Sequence, residues 1–332
     1  MLKTLGIYQY ITMSYTYEKY VCTADKVRDT VKKYGVAIVS NVLNKKEIKA
    51  MQDGAWDTLE HITQKFDTPI KKDDEKSWLS FKYLYALHSM LIQHHGVGHA
   101  QFVWDLRQNP KIIKIFSDIW GTNNLLTSFD GISFHLPPEK TKRGYYRGNA
   151  WFHTDQSYTR PDFECIQSWI TAYDINEGDA TLCFLESSNN YFSKFGKHFN
   201  MTDTSNWYKL NEDELKFYTN DCKCESKCIK CPAGSMVFWD SRTIHCGKES
   251  DKNRENANFR CVVYICMMPK DGVDEKVLQN RKKAFDEKRT TSHWPNRFKL
   301  FPKTPRTYGG EVQEITALAD PVLTDLGRNL IC

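Results

Sequence analysis

Trp151-Phe152-His153-Thr154-Asp155-Gln156-Ser157 sets a histidine and an aspartate two residues apart in a run suited to a β-strand. Alternate residues of a β-strand project to one face, so His153 and Asp155 present an imidazole and a carboxylate to the same point. A third donor comes from far downstream. The run Gly234-Ser235-Met236-Val237-Phe238-Trp239-Asp240-Ser241-Arg242-Thr243-Ile244-His245 opens on a turn signal, continues as an apolar strand and exits into a second histidine. Two imidazoles and one carboxylate on one face of an octahedral ion leave the opposite positions open, which is the ligand pattern of non-haem Fe(II) oxygenases. A His-x-Asp triplet alone is more often a hydrogen-bonded surface pair than a metal site. The company of His245 shifts the balance towards a ligand set.

Arg260 opens the next apolar strand, Arg260-Cys261-Val262-Val263-Tyr264-Ile265-Cys266-Met267-Met268. A guanidinium at the mouth of such a run is costly to bury unless a carboxylate meets it, and the distal carboxylate of 2-oxoglutarate suits that role. Together with Cys165-Ile166-Gln167-Ser168-Trp169-Ile170, these segments resemble the phytanoyl-CoA dioxygenase-like family of Fe(II)/2-oxoglutarate oxygenases, from Leu125 to Met268. The resemblance implies that His153, Asp155 and His245 are iron ligands, that Arg260 pairs with the 2-oxoglutarate C5 carboxylate, and that Trp169 lines the cofactor. Gln167, two residues earlier on the same strand face, is placed in the same pocket. The activity implied is that of a dioxygenase consuming 2-oxoglutarate and O2, releasing succinate and CO2, and hydroxylating a primary substrate. Because Asp155 is present rather than Gly or Ala, no coordination position is vacated for a halide, so hydroxylation is favoured over halogenation.

The chain also departs from that family. Leu185-Glu186-Ser187-Ser188-Asn189-Asn190 replaces a small Pro-Gly-Ser-His turn, and Gly247 stands where some relatives carry serine near the cofactor. The substrate rim is therefore not transferable.

A fold that brings a His-x-Asp pair, a distant His and a later Arg around one ion from short strands is a double-stranded β-helix. We expect a mainly β, jelly-roll, cupin-like core with helices packed outside. At 332 residues and 40% apolar composition the chain can bury such a core without staples. We expect one oxygenase domain over 1–332, with a loose N-terminal arm at 1–22, a catalytic β core at 120–268 and a basic extension at 269–332. Helical periodicity predicts a helix ended by Gly35, a strand at Val36 to Val39, and a longer helix opened by Asn44. Leu125 to Leu136 reads as one strand, and Lys276 to Arg289 as a charged helix.

The net charge of +5 is compatible with an anionic substrate but far from a nucleic-acid-binding signature. Lys140, Lys142, Arg143 and Arg147 form a basic loop suited either to clamping such a substrate or simply to solvation. Asp130 and Arg242 are further polar candidates for the pocket. His88, His94, His95 and His99 lack a cysteine or carboxylate at ligand spacing and read as structural, with a substrate channel as the other use. No stretch approaches a membrane span or a secretory leader, and the odd count of 11 cysteines points to thiols in a reducing compartment. A soluble cytoplasmic protein follows.

Cys222, Cys224, Cys228 and Cys231 fall within one short run, and four thiolates there suit a structural Zn2+, although Cys-x-Cys is tight for such a site. Three rival functions stay open: a cupin-like metalloenzyme that does without 2-oxoglutarate, a non-enzymatic interaction protein built on that zinc site and the basic tail, and an oxygenase acting on a macromolecule.

Overall fold

Strand Met236–Asp240 shows how side-chain alternation builds the molecule: Met236 and Phe238 pack among helices, while Val237 and Trp239 turn to the opposite face and meet a second sheet. The computed structural model describes residues 13–148 and 150–332. The remainder of the expected arm, residues 1–12, lies outside the described residues.

Two six-stranded sheets face each other. The first runs in the order Val36–Val39, Met236–Asp240, Ile166–Thr171, Arg260–Tyr264, Ile132–His135 and Leu91–Ile92. The second runs Ser14–Thr16, Ser226–Ile229, Thr181–Leu185, His245–Lys248, His153–Thr154 and Tyr208–Lys209. Neighbours pair antiparallel except Ser14–Thr16, which lies parallel to Ser226–Ile229. This is the expected double-stranded β-helix. Trp169, Leu182, Phe184, Val237, Trp239 and Val262 fill the space between the sheets.

Helix Lys45–Ile62 covers the outside of the first sheet and starts where Asn44 predicts. The Asn44 side chain accepts from the Glu47 amide at 3.0 Å and the Glu47 carboxylate accepts from the Asn44 amide at 2.7 Å. Such a reciprocal cap contributes about 1 kcal/mol. Met51, Ala55, Leu59 and Ile62 then recur on one face and are buried against the core. Helix Val27–Tyr34 ends at Gly35, whose φ of 84° is left-handed and favours glycine.

Two expectations need correction. Leu125 to Leu136 is not one strand: Leu125–Thr127 pairs with Met267–Pro269 in a separate two-stranded sheet, and Ile132–His135 joins the first large sheet. The break falls where Gly131 passes the backbone of Ile92 so closely that a Cβ would sit 2.0 Å from the Ile92 carbonyl oxygen. Residues 14–22 are docked rather than loose, since Ser14–Thr16 extends the second sheet and Tyr20 is fully buried. The basic extension is also folded onto the core. Arg281 of helix Glu275–Asp286 is buried and donates to the carbonyls of Thr127, Pro295, Leu330 and Ile331, tying three chain segments together. Burial moves that guanidinium down to about 9.

Candidate metal centre

The register of the second sheet places His153 directly opposite His245. Both side chains face the space between the sheets, while their neighbours Phe152, Ile244 and Cys246 join the outer apolar layer. Just past the strand, Asp155 is fixed by its amide, which donates to the Ser241 carbonyl at 2.9 Å. The three side chains then converge, with one donor atom from each lying within 4.8 Å of the others. The His245 Nε2 is 3.2 Å and the His153 Nε2 3.7 Å from Asp155 carboxylate oxygens.

The backbone fixes which nitrogen each imidazole offers. His245 Nδ1 lies 2.9 Å from the Thr243 carbonyl and His153 Nδ1 3.2 Å from the Trp151 carbonyl. A carbonyl can only accept, so Nδ1 carries the proton and both Nε2 lone pairs are left for an ion. Burial alone would raise the Asp155 carboxyl, yet the adjacent His153, together with His293 and His245, holds it well below the usual carboxylate range. Burial first, and then the neighbouring His245, pushes His153 down towards its neutral form. A carboxylate beside two imidazole Nε2 atoms is the donor set that a divalent cation requires.

The remaining candidates line the same cavity of about 520 Å3. Gln167 and Trp169 do share the inner face of strand Ile166–Thr171. The Gln167 amide, however, donates to the Asp155 carboxylate at 2.9 Å, so its visible task is to orient that side chain. Arg260 is buried and stacks over Trp169 at 5.3 Å. It donates to the Ser133 hydroxyl at 3.3 Å and the Ala180 carbonyl at 3.1 Å, with no carboxylate in salt-bridge range among the described residues. Arg281, by contrast, donates to four carbonyls. Trp169 Nε1 and Trp239 Nε1, both on lining residues, also lack partners among the described residues. The cavity wall is thus under-satisfied for an anion beside the convergent triad.

The cysteine run does not converge. Cys222 and Cys224 pack in the outer layer, and Cys228 is joined there to Cys183 as a disulfide across neighbouring strands. Cys231 lies on the opposite side, between the sheets. Alternation therefore sets Cys231 apart from the other three and the disulfide occupies Cys228, so the expected zinc site does not form among the described residues. The disulfide also corrects the reading of every cysteine as a thiol. Arg242 turns away from the cavity to hold Asp240, with Nη2 at 2.6 Å. The basic loop stays outside too: Lys140 pairs with Glu75, and Lys142 donates to the Glu139 carbonyl. Asp130 does reach the lining, where the Ser128 hydroxyl donates to it.

Sequence reading missed the residues that cover the site. Ser292, His293, Trp294, Arg297, Lys299 and Phe301 of the extension line the cavity, forming its roof. The Trp294 indole N–H donates to the Asp155 carbonyl at 3.3 Å. The one available signal was a Trp-Pro pair inside an otherwise basic tail. On the other side Trp151 stacks on His153 at 4.7 Å and His88 stacks on Trp151 at 4.5 Å. His94, His95 and His99 each bond to a backbone carbonyl, in line with the structural reading.

Comparison with known proteins is consistent with this architecture. The family model described as Phytanoyl-CoA dioxygenase (PhyH) matches residues 31–256, stopping short of Arg260 and of the roof. The chain is 27% identical over 281 residues to Ava biosynthesis cluster protein O of Aspergillus versicolor, covering 82% of this chain and 86% of that protein. A hypothetical protein of Escherichia coli has a similar structure, with a TM-score of 0.57 and 13% identity over 94% of this chain and 85% of its own. The GlcNAc-inducible gene 2 protein of Candida albicans gives a TM-score of 0.52 and 12% identity, over 80% of this chain and 70% of its own. Among the described residues no helix is long and apolar enough to cross a membrane.

Proposed function

The chain belongs to the phytanoyl-CoA dioxygenase family, and from that premise we propose that it is an Fe(II)- and 2-oxoglutarate-dependent dioxygenase that hydroxylates a primary substrate. The observation that carries this reading is the convergence of His153, Asp155 and His245 in one cavity with a buried guanidinium that has no carboxylate partner among the described residues. Two Nε2 atoms and one carboxylate oxygen would hold the iron and leave one face of it open. Iron and 2-oxoglutarate, when bound, supply the oxygen activation that couples release of succinate and CO2 to substrate oxidation.

The protein's own part is positional. Arg260 would meet the far carboxylate of 2-oxoglutarate, supplying the charge partner it now lacks. Trp169, beneath that guanidinium, gives the co-substrate a flat apolar wall. Gln167 restrains Asp155 so that its oxygen stays aimed at the ion. The tryptophans around the triad exclude water from the reacting face. Asp155 keeps the position that a halide would need, which supports hydroxylation. Because the β core and the extension wall one cavity, we read them as parts of a single catalytic domain. Similarity to a protein named for a biosynthesis cluster favours a metabolite over a macromolecule as substrate.

Anaerobic titration of metal-free protein with Fe(II) and 2-oxoglutarate tests this reading. A visible charge-transfer band is expected from the wild type and its loss from His245→Ala. Absence of the band from folded wild type overturns the proposal.

A further inference from the structure

We propose that the primary substrate is a compact, flat, largely apolar small molecule with one anionic group, stacked on Trp207 beneath the roof, with Lys299 as its counter-ion. This rests on the oxygenase reading and deepens it by naming the substrate class.

Size sets the first limit. The cavity of about 520 Å3 lies within the ordinary range for small-molecule sites and must hold 2-oxoglutarate as well.

Trp207 gives the second argument. It is 52% exposed, its ring lies 5.7 Å from that of His153, and its backbone φ is 70°. A bulky residue in the left-handed region costs on the order of 1–3 kcal/mol, and such strain concentrates at functional sites. The preceding side chain is anchored: Asn206 Oδ1 accepts from the Ser157 amide at 3.3 Å and from Arg160 Nη2 at 2.5 Å. An exposed indole is thus held over a candidate ligand at a cost that covering by an aromatic face would offset.

The roof is closed by a buried tryptophan, Trp294. Trp294 is bonded to the Asp155 carbonyl and flanked by the guanidinium groups of Arg160 at 5.3 Å and Arg297 at 5.4 Å. The Phe301 amide donates to the Thr290 carbonyl at 2.9 Å.

Charge narrows the class further. Arg260 is assigned to 2-oxoglutarate, and Arg297 pairs with Glu164 at 3.2 Å. Lys299 is the remaining cation of the lining and has no carboxylate in salt-bridge range among the described residues. Asp130 is already engaged by Ser128 at 2.7 Å. One free cation suits one anionic group, whereas the several phosphates of an acyl-CoA would require more.

Calorimetric titration of the Fe(II)- and 2-oxoglutarate-loaded protein without oxygen tests this, using 2-naphthoate, its neutral amide and decanoate as probes. Saturable one-to-one binding of 2-naphthoate is expected, stronger than that of decanoate. Trp207→Ala should weaken it about tenfold through lost stacking. Lys299→Ala should weaken the acid by about threefold to fivefold and leave the amide unchanged. No saturable binding of 2-naphthoate, stronger binding of decanoate, or unchanged affinity in Trp207→Ala overturns the proposal. The charge-transfer band recorded on the same samples separates the two failures. If wild type lacks the band, the oxygenase reading falls and this proposal with it; if the band is present but the probes behave otherwise, this proposal falls alone.

Discussion

His153, Asp155 and His245 come from separate parts of the chain and meet, whereas Cys222, Cys224, Cys228 and Cys231 lie in one short run and do not. Strand geometry accounts for both. Pairing between strands brings His153 and His245 into register on the inner face, and the Asp155 amide is held by Ser241. Along a single run, alternation sends Cys228 outward and Cys231 inward. Closeness in sequence is thus a poor guide to a shared ion; a common face in a defined register is a better one.

The largest way to sharpen that contrast is Arg260→Leu. Removing one partner of a buried, hydrogen-bonded charge pair costs about 2–5 kcal/mol, so 2-oxoglutarate should bind about 100-fold more weakly. Iron uptake should persist, because Arg260 contributes none of the three converging donors. Binding isotherms for each ligand would check this. Unchanged 2-oxoglutarate affinity would leave the triad as a metal site but favour a metalloenzyme that does without that co-substrate.

The inner face of the fold was legible because period-two alternation is a local rule. Gln167 and Trp169 fall together for that reason, as do Val237 and Trp239. The Asn44 cap was legible on the same basis, since its partner lies three residues away. What remained hidden depended on contacts between distant segments. Nothing local in Trp294 announces the Asp155 carbonyl, and nothing local in Arg281 announces the carbonyls of Thr127 and Ile331. Cys228 looked like part of a cluster because its true partner, Cys183, sits on another strand.

A middle-sized effect concerns histidines outside the triad. Burial pushes His99 down to about 3, and His95 and His135 down to about 4, while each ring bonds to a backbone carbonyl. The folded state refuses a proton that the unfolded chain takes up near 6.5. Their stabilising contribution is therefore complete above pH 6.5 and is lost as the pH falls towards 4. At pH 5 each costs at most about 2 kcal/mol relative to pH 7.5. Urea midpoints should fall over that interval for wild type and fall less for His99→Gln. A flat profile from pH 7.5 to 5 would mean that these rings are not held neutral in the folded state.

The smallest expected effect lies on the cysteine side. Zinc takes thiolates, and burial pushes both Cys224 and Cys231 up to about 12, so neither ionises readily near neutral pH. Cys228 has no thiol to offer while it is bonded to Cys183. Purified protein should contain no stoichiometric zinc by elemental analysis. Cys231→Ala should lose about 1 kcal/mol of stability from its packing between the sheets, and Cys224→Ala a similar amount from the outer layer. Iron affinity should stay within about twofold in both, because neither side chain lines the cavity. Stoichiometric zinc that disappears from both variants would require the two faces of strand Ser226–Ile229 to exchange partners, and the contrast between the clusters would fail. Loss of stability without any change in metal content would instead place both cysteines where alternation puts them, as separate apolar side chains in two different layers.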